Sequence, residues 1–268
     1  MLIRTAFLTP APLGKCANRA TTSVTAKKKI PLSVTRRRSA TMSSAPTPPS
    51  GKMLFAKAGP DGTTLGDCPF SQKANLALRF NGVKFDVHCI NLSDKPQWFK
   101  DLTEAASTPV FQEADTVLED SDKIVRHADA IGTAEAKLVR ENEPLWNDAT
   151  AAVGAVFKPF VTLMKNRDVS KEEQLRQDLD SALQKVEHIL AQTGAPFLLG
   201  EHVSALDCDV APKLQHIMVA ASHYKKYNVP TSCERLPHYM QRMRQTAAWR
   251  QSACADQVIV WGWSKLFK

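Results

Sequence analysis

Acidic residues are missing from the beginning of this 268-residue chain, where the first one is Asp61. Residues 1–45 nevertheless carry nine Lys and Arg side chains. Without those nine, the chain has 26 basic against 27 acidic residues. The formal charge of +8 therefore comes from residues 1–45, called the leader below, and residues 46–268 are nearly neutral. A neutral body lacks the general attraction for phosphate backbones on which nucleic-acid binders depend. We therefore expect no nucleic-acid partner.

Other features are also lacking. No run approaches the roughly 18 consecutive apolar residues that a membrane-spanning helix needs, so we expect no membrane span. The six cysteines include no Cys-x-x-Cys pair, and neither they nor the seven histidines show the spacing of zinc ligands. We predict no metal and no permanently bound cofactor. Isolated cysteines are typical of a reducing compartment, where one thiol can be catalytic.

The leader is rich in Ala, Ser, Thr and basic residues. Together with its lack of acids, this composition predicts an organellar transit peptide over residues 1–45. Charge alone leaves chloroplast and mitochondrion open. Residues 46–52 contain three prolines, one serine and one glycine. This composition predicts a flexible joint.

Residues 53–131 predict an α/β domain of thioredoxin-like order. Apolar runs, helix starts and turn residues give the sequence strand, helix, strand, helix, strand, strand, helix. The predicted elements are strand 53–58, a helix from Pro69 to about residue 80, strand 83–90, a helical turn 95–102, a hairpin of strands 108–111 and 116–118, and helix 122–130.

Residues 132–268 predict an all-helical second domain, because apolar residues recur there at steps of three and four. Ser204 and Asp207 stand at the spacing of a capping box, in which each side chain satisfies a free N–H group of the other residue. The predicted helices are 134–165, 171–192, 204–224 and 237–249.

Cys68 is the residue whose position points to chemistry. It directly precedes Pro69, which suits the first turn of a helix. Free N–H groups and the positive end of the helix dipole at such a position stabilise a thiolate. Ser71 stands where a two-cysteine redox enzyme has its second thiol, so Cys68 cannot close a local disulfide. An external thiol must resolve it, and glutathione is the natural candidate.

The chain resembles the plant dehydroascorbate reductases of the glutathione transferase superfamily. The resemblance extends over about residues 53–268 and implies a thioredoxin-like domain followed by an all-α domain, the glutathione transferase fold. It is carried by residues 65–72 (LGDCPFSQ), 95–99 (KPQWF), 120–122 (DSD), 211–214 (APKL), 223–225 (HYK), 229–230 (VP) and 262–263 (GW).

The resemblance implies two substrate sites around Cys68. For glutathione, Lys95 would contact the glycyl carboxylate, a cis Thr108-Pro109 bond would expose the main chain of Val110, and Asp120 with Ser121 would hold the glutamyl end. For dehydroascorbate, the implied residues are Lys57 and Asp67, which flank the catalytic cysteine. One departure is that residues 105–107 (AAS) replace the family's Gly-Lys before the proline.

These implications predict glutathione-dependent reduction of dehydroascorbate to ascorbate through a mixed disulfide on Cys68. A monomer is the implied state. Two other functions stay open. One is an omega-like thiol transferase or glutaredoxin-type reductase that uses the same cysteine. The other is a chloride-intracellular-channel-like protein that associates with membranes, against which stand the polar residues of the helix that follows Cys68.

Overall fold

A four-stranded mixed sheet begins the part of the protein that this computed structural model describes, residues 51–268. The strands are β1 (Met53–Lys57), β2 (Asp86–Ile90), β3 (Val110–Glu113) and β4 (Thr116–Leu118), in the spatial order β2-β1-β3-β4. β2 is parallel to β1, whereas β3 is antiparallel to both β1 and β4. Because β1 is hydrogen-bonded on both sides and covered on both faces, Leu54, Phe55 and Ala56 are fully buried.

Three helices accompany the sheet: α1 (Pro69–Phe80), α2 (Gln97–Leu102) and α3 (Ser121–Ile131). α1 starts at Pro69, as predicted, and is followed by Gly82, whose φ of +68° lies in the left-handed region that glycine tolerates. α3 starts after Asp120, whose carboxylate accepts hydrogen bonds from the amides of Asp122 and Lys123. The strands and helices of this half therefore begin close to their predicted positions.

The second half is helical. The capping box of Ser204 and Asp207 is confirmed, with Ser204 Oγ 2.6 Å from Asp207 Oδ2. A five-residue π-helical turn, Ile217–Ala221, joins α7 to α8, and the chain ends in a short 3₁₀ turn, Ser264–Leu266. The helices are α4 (Trp146–Gly154), α5 (Phe157–Lys165), α6 (Val169–Thr193), α7 (Ala205–His216), α8 (Ser222–Lys225), α9 (Arg235–Gln245), α10 (Ala247–Ser252) and α11 (Asp256–Trp263).

The prediction of one helix over residues 134–165 is wrong. The segment before α4 is irregular, and there the amides of Leu138 and Val139 donate to the carboxylate of Asp129 at 3.0 and 2.7 Å. Pro144 supplies no amide for a helix, and a tertiary partner satisfies the main chain instead. The predicted helix 237–249 is likewise two helices, α9 and α10, because Thr246 has an extended backbone and caps α10.

α1 joins the sheet to the helical half. It packs against both α3 and α7, and one continuous apolar core includes Leu76 of α1 and Leu214 of α7. The ammonium group of Lys73, which is 7% exposed, lies 2.6 Å from Asp122 of α3 and 3.3 Å from Asp209 of α7. Although burial opposes the charge, the two carboxylates raise the pKa of Lys73.

The predicted class, a thioredoxin-like α/β unit followed by helices, is confirmed. The proposed division at residues 131 and 132 stays a prediction. The predicted leader, residues 1–45, lies outside the described residues, as does most of the joint at 46–52. Among the residues that are described, no helix has the length and apolar character that crossing a membrane would require.

Candidate active site

The loop between β1 and α1 brings three of the predicted residues together. Gly66 donates its amide to Lys57 O at 2.8 Å, and a Cβ on residue 66 would lie only 2.8 Å from the same oxygen. Glycine therefore lets the loop return directly onto the end of β1. As a result, Asp67 and Cys68, which follow Gly66, lie beside Lys57, the last residue of that strand.

Cys68 caps the N-terminus of α1, as the sequence predicts. Its sulfur accepts a hydrogen bond from the amide of Ser71 at 3.4 Å, and its backbone is extended, which is typical of an N-cap residue. Ser71 has a second contact, because its hydroxyl oxygen accepts from the Lys57 amide at 3.4 Å. A sulfur held by a helix N-terminal amide is poised to act as a nucleophile.

Asp67 and Lys57 form an ion pair next to this sulfur. Lys57 Nζ lies 2.7 Å from Asp67 Oδ1, and the carboxylate is 8% exposed while the lysine side chain is 28% exposed. A lysine at the end of a strand would usually point to water, but here the buried carboxylate keeps it at the site. The pair supplies a hydrogen-bond acceptor on the residue before Cys68 and a cation bound to that acceptor.

The predicted glutathione residues lie at the start of β3, at the start of α3 and in the loop before α2. The Thr108-Pro109 peptide bond is cis, as the resemblance implies, and Val110 directly after it pairs with Phe55 of β1. The two hydrogen bonds that cap α3 both go to Oδ1 of Asp120, which leaves Oδ2 available, and Ser121 is buried. Lys95 is half-buried in the loop before α2 and forms no ion pair with any described residue.

The loop that contains residues 105–107, where the chain departs from the family pattern, is held by hydrogen bonds to Glu119. The carboxylate of Glu119 accepts hydrogen bonds from the amides of Glu104 and Ala105, at 2.7 and 3.1 Å. The next residue, Ala106, has a φ of +46°, a conformation in which a Cβ is unfavourable. Because Glu119 directly precedes Asp120, it ties the loop before the cis peptide bond to the start of α3.

Sequence reasoning did not place three residues of the helical half, His216, Gly262 and Trp263, at this site. His216 is 2% exposed at the end of α7, and its Nδ1 accepts a hydrogen bond from the indole of Trp263 at 3.0 Å. Burial lowers the pKa of His216 to about 4. Gly262, the residue before that tryptophan, lies against the carboxylate of Asp67. The resemblance drew attention to residues 262 and 263, but no pattern in the chain indicates which side chains they meet.

The remaining described cysteines are not placed for thiol chemistry. Burial raises the pKa of the thiols of Cys89 and Cys208. Burial likewise raises the pKa of Cys233 to about 11 and that of Cys254 to about 12. The thiols of these four cysteines therefore stay protonated near neutral pH. Cys16 lies outside the described residues.

No group of His, Cys, Asp and Glu side chains within residues 51–268 could hold a metal ion. The groups gathered around the start of α1 are the Cys68 sulfur, the Asp67 carboxylate, the Lys57 ammonium and the buried imidazole of His216. Such a set can bind a polar, hydroxyl-rich molecule against a thiol.

Comparison with known proteins gives these features a context. The model of the glutathione S-transferase N-terminal domain matches residues 67–131, and that of the C-terminal domain matches residues 151–244. The chain is 32% identical over 208 residues to the glutathione S-transferase DHAR2 of Arabidopsis thaliana, covering 78% of this chain and 93% of that protein. It is 30% identical over 200 residues to the chloroplastic DHAR3 of the same plant, covering 74% of each.

Solved structures share the fold. Chlamydomonas reinhardtii dehydroascorbate reductase superposes with a TM-score of 0.69 at 24% identity, over 80% of this chain and 98% of that one. The CLIC homologue EXC-4 of C. elegans superposes with a TM-score of 0.68 at 18% identity, over 81% and 82%. With both domain models matched and a curated relative 32% identical over 93% of its length, the chain belongs to the dehydroascorbate reductase family of the glutathione S-transferases.

Proposed function

We propose that this protein reduces dehydroascorbate to ascorbate at the expense of two glutathione molecules, and that Cys68 is its nucleophile. The observation that carries the proposal is the placement of Cys68 Sγ on the N-terminus of α1, with the Lys57–Asp67 ion pair beside it. The relatives' names support the choice of substrate. Glutathione is a co-substrate in this scheme, and no cofactor is permanently bound.

The reaction begins when the Cys68 thiolate adds to a carbonyl carbon of dehydroascorbate. Water then attacks the sulfur, the S–C bond breaks, and its electron pair stays with the substrate, which takes up a proton and leaves as ascorbate. Cys68 is left as a sulfenic acid. Asp67 accepts hydrogen bonds from substrate hydroxyl groups and exchanges protons with them, while Lys57 holds Asp67 in place and presents a cation to the oxygen atoms of the substrate.

Glutathione returns Cys68 to the thiolate. The thiol of the first glutathione condenses with the sulfenic acid and releases water, which forms a mixed disulfide. The thiolate of the second attacks the glutathione sulfur of that disulfide, so oxidised glutathione leaves and the Cys68 thiolate is regenerated. In total, two thiols become one disulfide, and dehydroascorbate gains two electrons and two protons.

The first glutathione binds through the predicted residues of β3 and α3. Asp120 Oδ2, which the helix cap leaves free, pairs with the glutamyl ammonium, and Ser121 binds the glutamyl carboxylate. The main chain of Val110 pairs with the tripeptide backbone, and Lys95 contacts the glycyl carboxylate. Lys95→Met should raise the KM for glutathione, whereas Lys123→Met, which removes a lysine from the exposed side of α3, should leave it unchanged.

The decisive experiment compares Cys68→Ser with Cys89→Ser in an assay of glutathione-dependent ascorbate formation. Cys68→Ser should abolish turnover while circular dichroism and thermal unfolding stay those of the wild type. Cys89→Ser, which replaces a half-buried thiol of β2, should retain activity. Substantial turnover by Cys68→Ser would contradict the proposal.

The rival activity, thiol transfer of the omega or glutaredoxin type, uses the same sulfur and the same glutathione site. Rates on dehydroascorbate and on a glutathionylated peptide, measured with one enzyme preparation, separate the two. We expect the larger kcat/KM for dehydroascorbate. The fold shared with the CLIC homologue motivates a third measurement, liposome binding under oxidising conditions, for which we expect no association.

For location and assembly, we propose a chloroplast enzyme that acts as a monomer. Curated relatives include both chloroplastic and cytosolic proteins, so the basic leader, residues 1–45, carries the argument for import. A fluorescent protein fused after residue 52 should enter plastids, and import into mitochondria would overturn the location. Light scattering of the purified protein should give the mass of one chain.

A further inference from the structure

The main chain of α11 lies against the carboxylate of Asp67 at Gly262. A Cβ on residue 262 would overlap Oδ2 and Cγ of Asp67 and would lie 2.7 Å from Oδ1. Non-bonded heavy atoms rest at about 3.5–4.0 Å, so only a hydrogen atom fits between the helix and the acid. Gly262 lies within the helix without a left-handed φ. The space beside Asp67, and not the backbone conformation, is therefore what requires glycine.

α11 has little freedom to move away from Asp67, because side chains of the helical half hold it along its length. At its start, Gln215 donates to Asp256 at 2.6 Å, and further along the hydroxyl of Tyr224 donates to the carbonyl of Val260 at 2.8 Å. At its end, Trp263 donates to His216 and packs edge-on against Phe160, with 4.9 Å between ring centroids. A side chain added at residue 262 would therefore displace the carboxylate before it displaced the helix.

Displacement of Asp67 would act on one substrate site and spare the other. Asp67 lies next to Cys68 and is paired with Lys57 at 2.7 Å, so its position sets the acceptor geometry beside the thiol. The elements proposed for glutathione belong to β3, α3 and the loop before α2, and none of them includes a residue of α11. The sulfur itself is held by the Ser71 amide within α1.

We infer that Gly262 is a specificity-determining residue, which positions Asp67 for hydroxyl-rich dicarbonyl substrates while it leaves thiol transfer unaffected. The inference rests on the proposed function, and it identifies Gly262 as a residue that helps the enzyme to select dehydroascorbate. Dehydroascorbate offers hydroxyl groups that need an acceptor in a defined place. A mixed disulfide of glutathione needs only the Cys68 thiolate and the glutathione site, because its reaction is exchange at sulfur.

The test compares Gly262→Ala with Gly154→Ala in the full-length protein. Gly154 is the last residue of α4, and nothing lies within 4 Å of a Cβ added there. Gly154→Ala therefore shows the effect of adding a methyl group to a helical glycine that has no close neighbour. Both variants are assayed with dehydroascorbate and with the mixed disulfide of glutathione and 2-mercaptoethanol. The KM for glutathione and the rate of Cys68 alkylation by iodoacetamide are measured as well.

Gly262→Ala should lower kcat/KM for dehydroascorbate by about 10- to 100-fold, since a displacement of about 1 Å in a catalytic group can cost about 100-fold. Its rates on the mixed disulfide and with iodoacetamide, and its KM for glutathione, should stay within about twofold of the wild type, as a factor of two is about 0.4 kcal/mol. Gly154→Ala should match the wild type in every assay. A Gly262→Ala enzyme that loses both activities equally, or neither, would overturn the inference.

A second comparison keeps the inference testable if Gly262→Ala folds poorly. In an Asp67→Ala background, the methyl group at residue 262 meets no carboxylate, so adding Gly262→Ala should cause no further loss with dehydroascorbate. A further loss as large as that in the wild-type background would overturn the inference. Wild-type protein that reduces the mixed disulfide but not dehydroascorbate would instead contradict the proposed function.

Discussion

The indole N–H of Trp263 donates to Nδ1 of His216 at 3.0 Å. Indole nitrogen is a donor only, so this bond makes Nδ1 an acceptor and places the proton of the neutral imidazole on Nε2. One residue of the C-terminal helix thus sets the tautomer of a histidine buried near Asp67.

The first prediction concerns the dependence of stability on pH. Burial chiefly lowers the pKa of His216 from 6.5 to about 4; Asp67 opposes this shift and Lys57 adds to it. As the pH falls through about 6.5, the unfolded chain binds a proton that the folded chain does not bind until about pH 4. The free energy of unfolding should therefore fall by up to about 1.4 kcal/mol per pH unit in that window and level off below it.

Urea unfolding at a series of pH values measures this slope. His216→Gln keeps an acceptor for the Trp263 indole but does not titrate, so its slope between about pH 6.5 and pH 4 should be smaller by that amount. His188→Gln, at an exposed position of α6, is the control and should follow the wild type. Equal slopes in wild type and His216→Gln would contradict the assignment.

The second prediction concerns the ion pair at the site. Lys57→Met removes the cation from a carboxylate that is 8% exposed, and the stranded charge should reduce the free energy of unfolding by about 1–3 kcal/mol. Adding Asp67→Asn should recover part of this loss, because the neutral amide needs no counter-ion. Chemical unfolding measures these changes. In the same experiment Lys84→Met, at an exposed position before β2, should leave the free energy of unfolding unchanged. If Lys84→Met lowered it as much as Lys57→Met, the interpretation would be refuted.

The third prediction separates the two contacts of Ser71. Its amide, which donates to Cys68, is unchanged in Ser71→Ala, and only the hydroxyl contact with the Lys57 amide at 3.4 Å is lost. Since a neutral hydrogen bond contributes about 1 kcal/mol, kcat/KM for dehydroascorbate should fall by less than about tenfold. If Ser71→Ala were as inactive as Cys68→Ser, the hydroxyl would have a catalytic role that the structure does not indicate.

Replacing Ser71 by cysteine, instead of alanine, gives a further prediction for this position. Ser71→Cys creates a Cys-x-x-Cys pair at the start of α1, so oxidised glutathione should convert it to an internal disulfide. After oxidation, the free-thiol titration should then show one pair fewer than in the reduced protein, and mass spectrometry should show no bound glutathione. Ser93→Cys, an exposed position far along the chain from Cys68, should instead stay in the mixed disulfide with glutathione.

The fourth prediction concerns the loop before the cis peptide bond. Ala106 has a φ of +46°, which costs an L-residue about 1–2 kcal/mol relative to glycine, although glycine also gains entropy in the unfolded chain. Ala106→Gly should therefore raise the free energy of unfolding by about 0.5–1 kcal/mol. Ala105→Gly, at a neighbouring position without a positive φ, should lower it or leave it unchanged. Thermal and urea unfolding measure both, and stabilisation by Ala105→Gly alone would contradict the argument.

Local chemistry explains the features that could be predicted. Pro69 and Cys68 start α1, Asp120 starts α3, and Ser204 with Asp207 starts α7, because each interaction spans no more than a few residues of the chain. The predicted position of Cys68 at a helix N-terminus depended on nothing more distant than Ser71. The glutathione residues and the substrate came from resemblance to a family, which carries information that spacing alone does not.

The features that sequence analysis predicted wrongly or missed depend instead on contacts between distant parts of the chain. Residues 134–165 have helical periodicity, but the carboxylate of Asp129 takes up the amides of Leu138 and Val139, and that partner lies in another element. The contacts of His216 and Gly262 around Asp67 likewise join three segments that are far apart in the chain. No periodicity or motif records which carboxylate a glycine will touch.

The sequence by itself determined the order of strands and helices in the α/β half, the caps that start α1, α3 and α7, and the cysteine at the head of α1, because short-range hydrogen bonding and apolar periodicity decide these features. Only the tertiary structure decided which groups surround that cysteine. Lys57 faces Asp67 because the loop closes on β1 at Gly66, and α11 reaches the same carboxylate because the packing of the helical half leaves room there for a glycine and nothing larger.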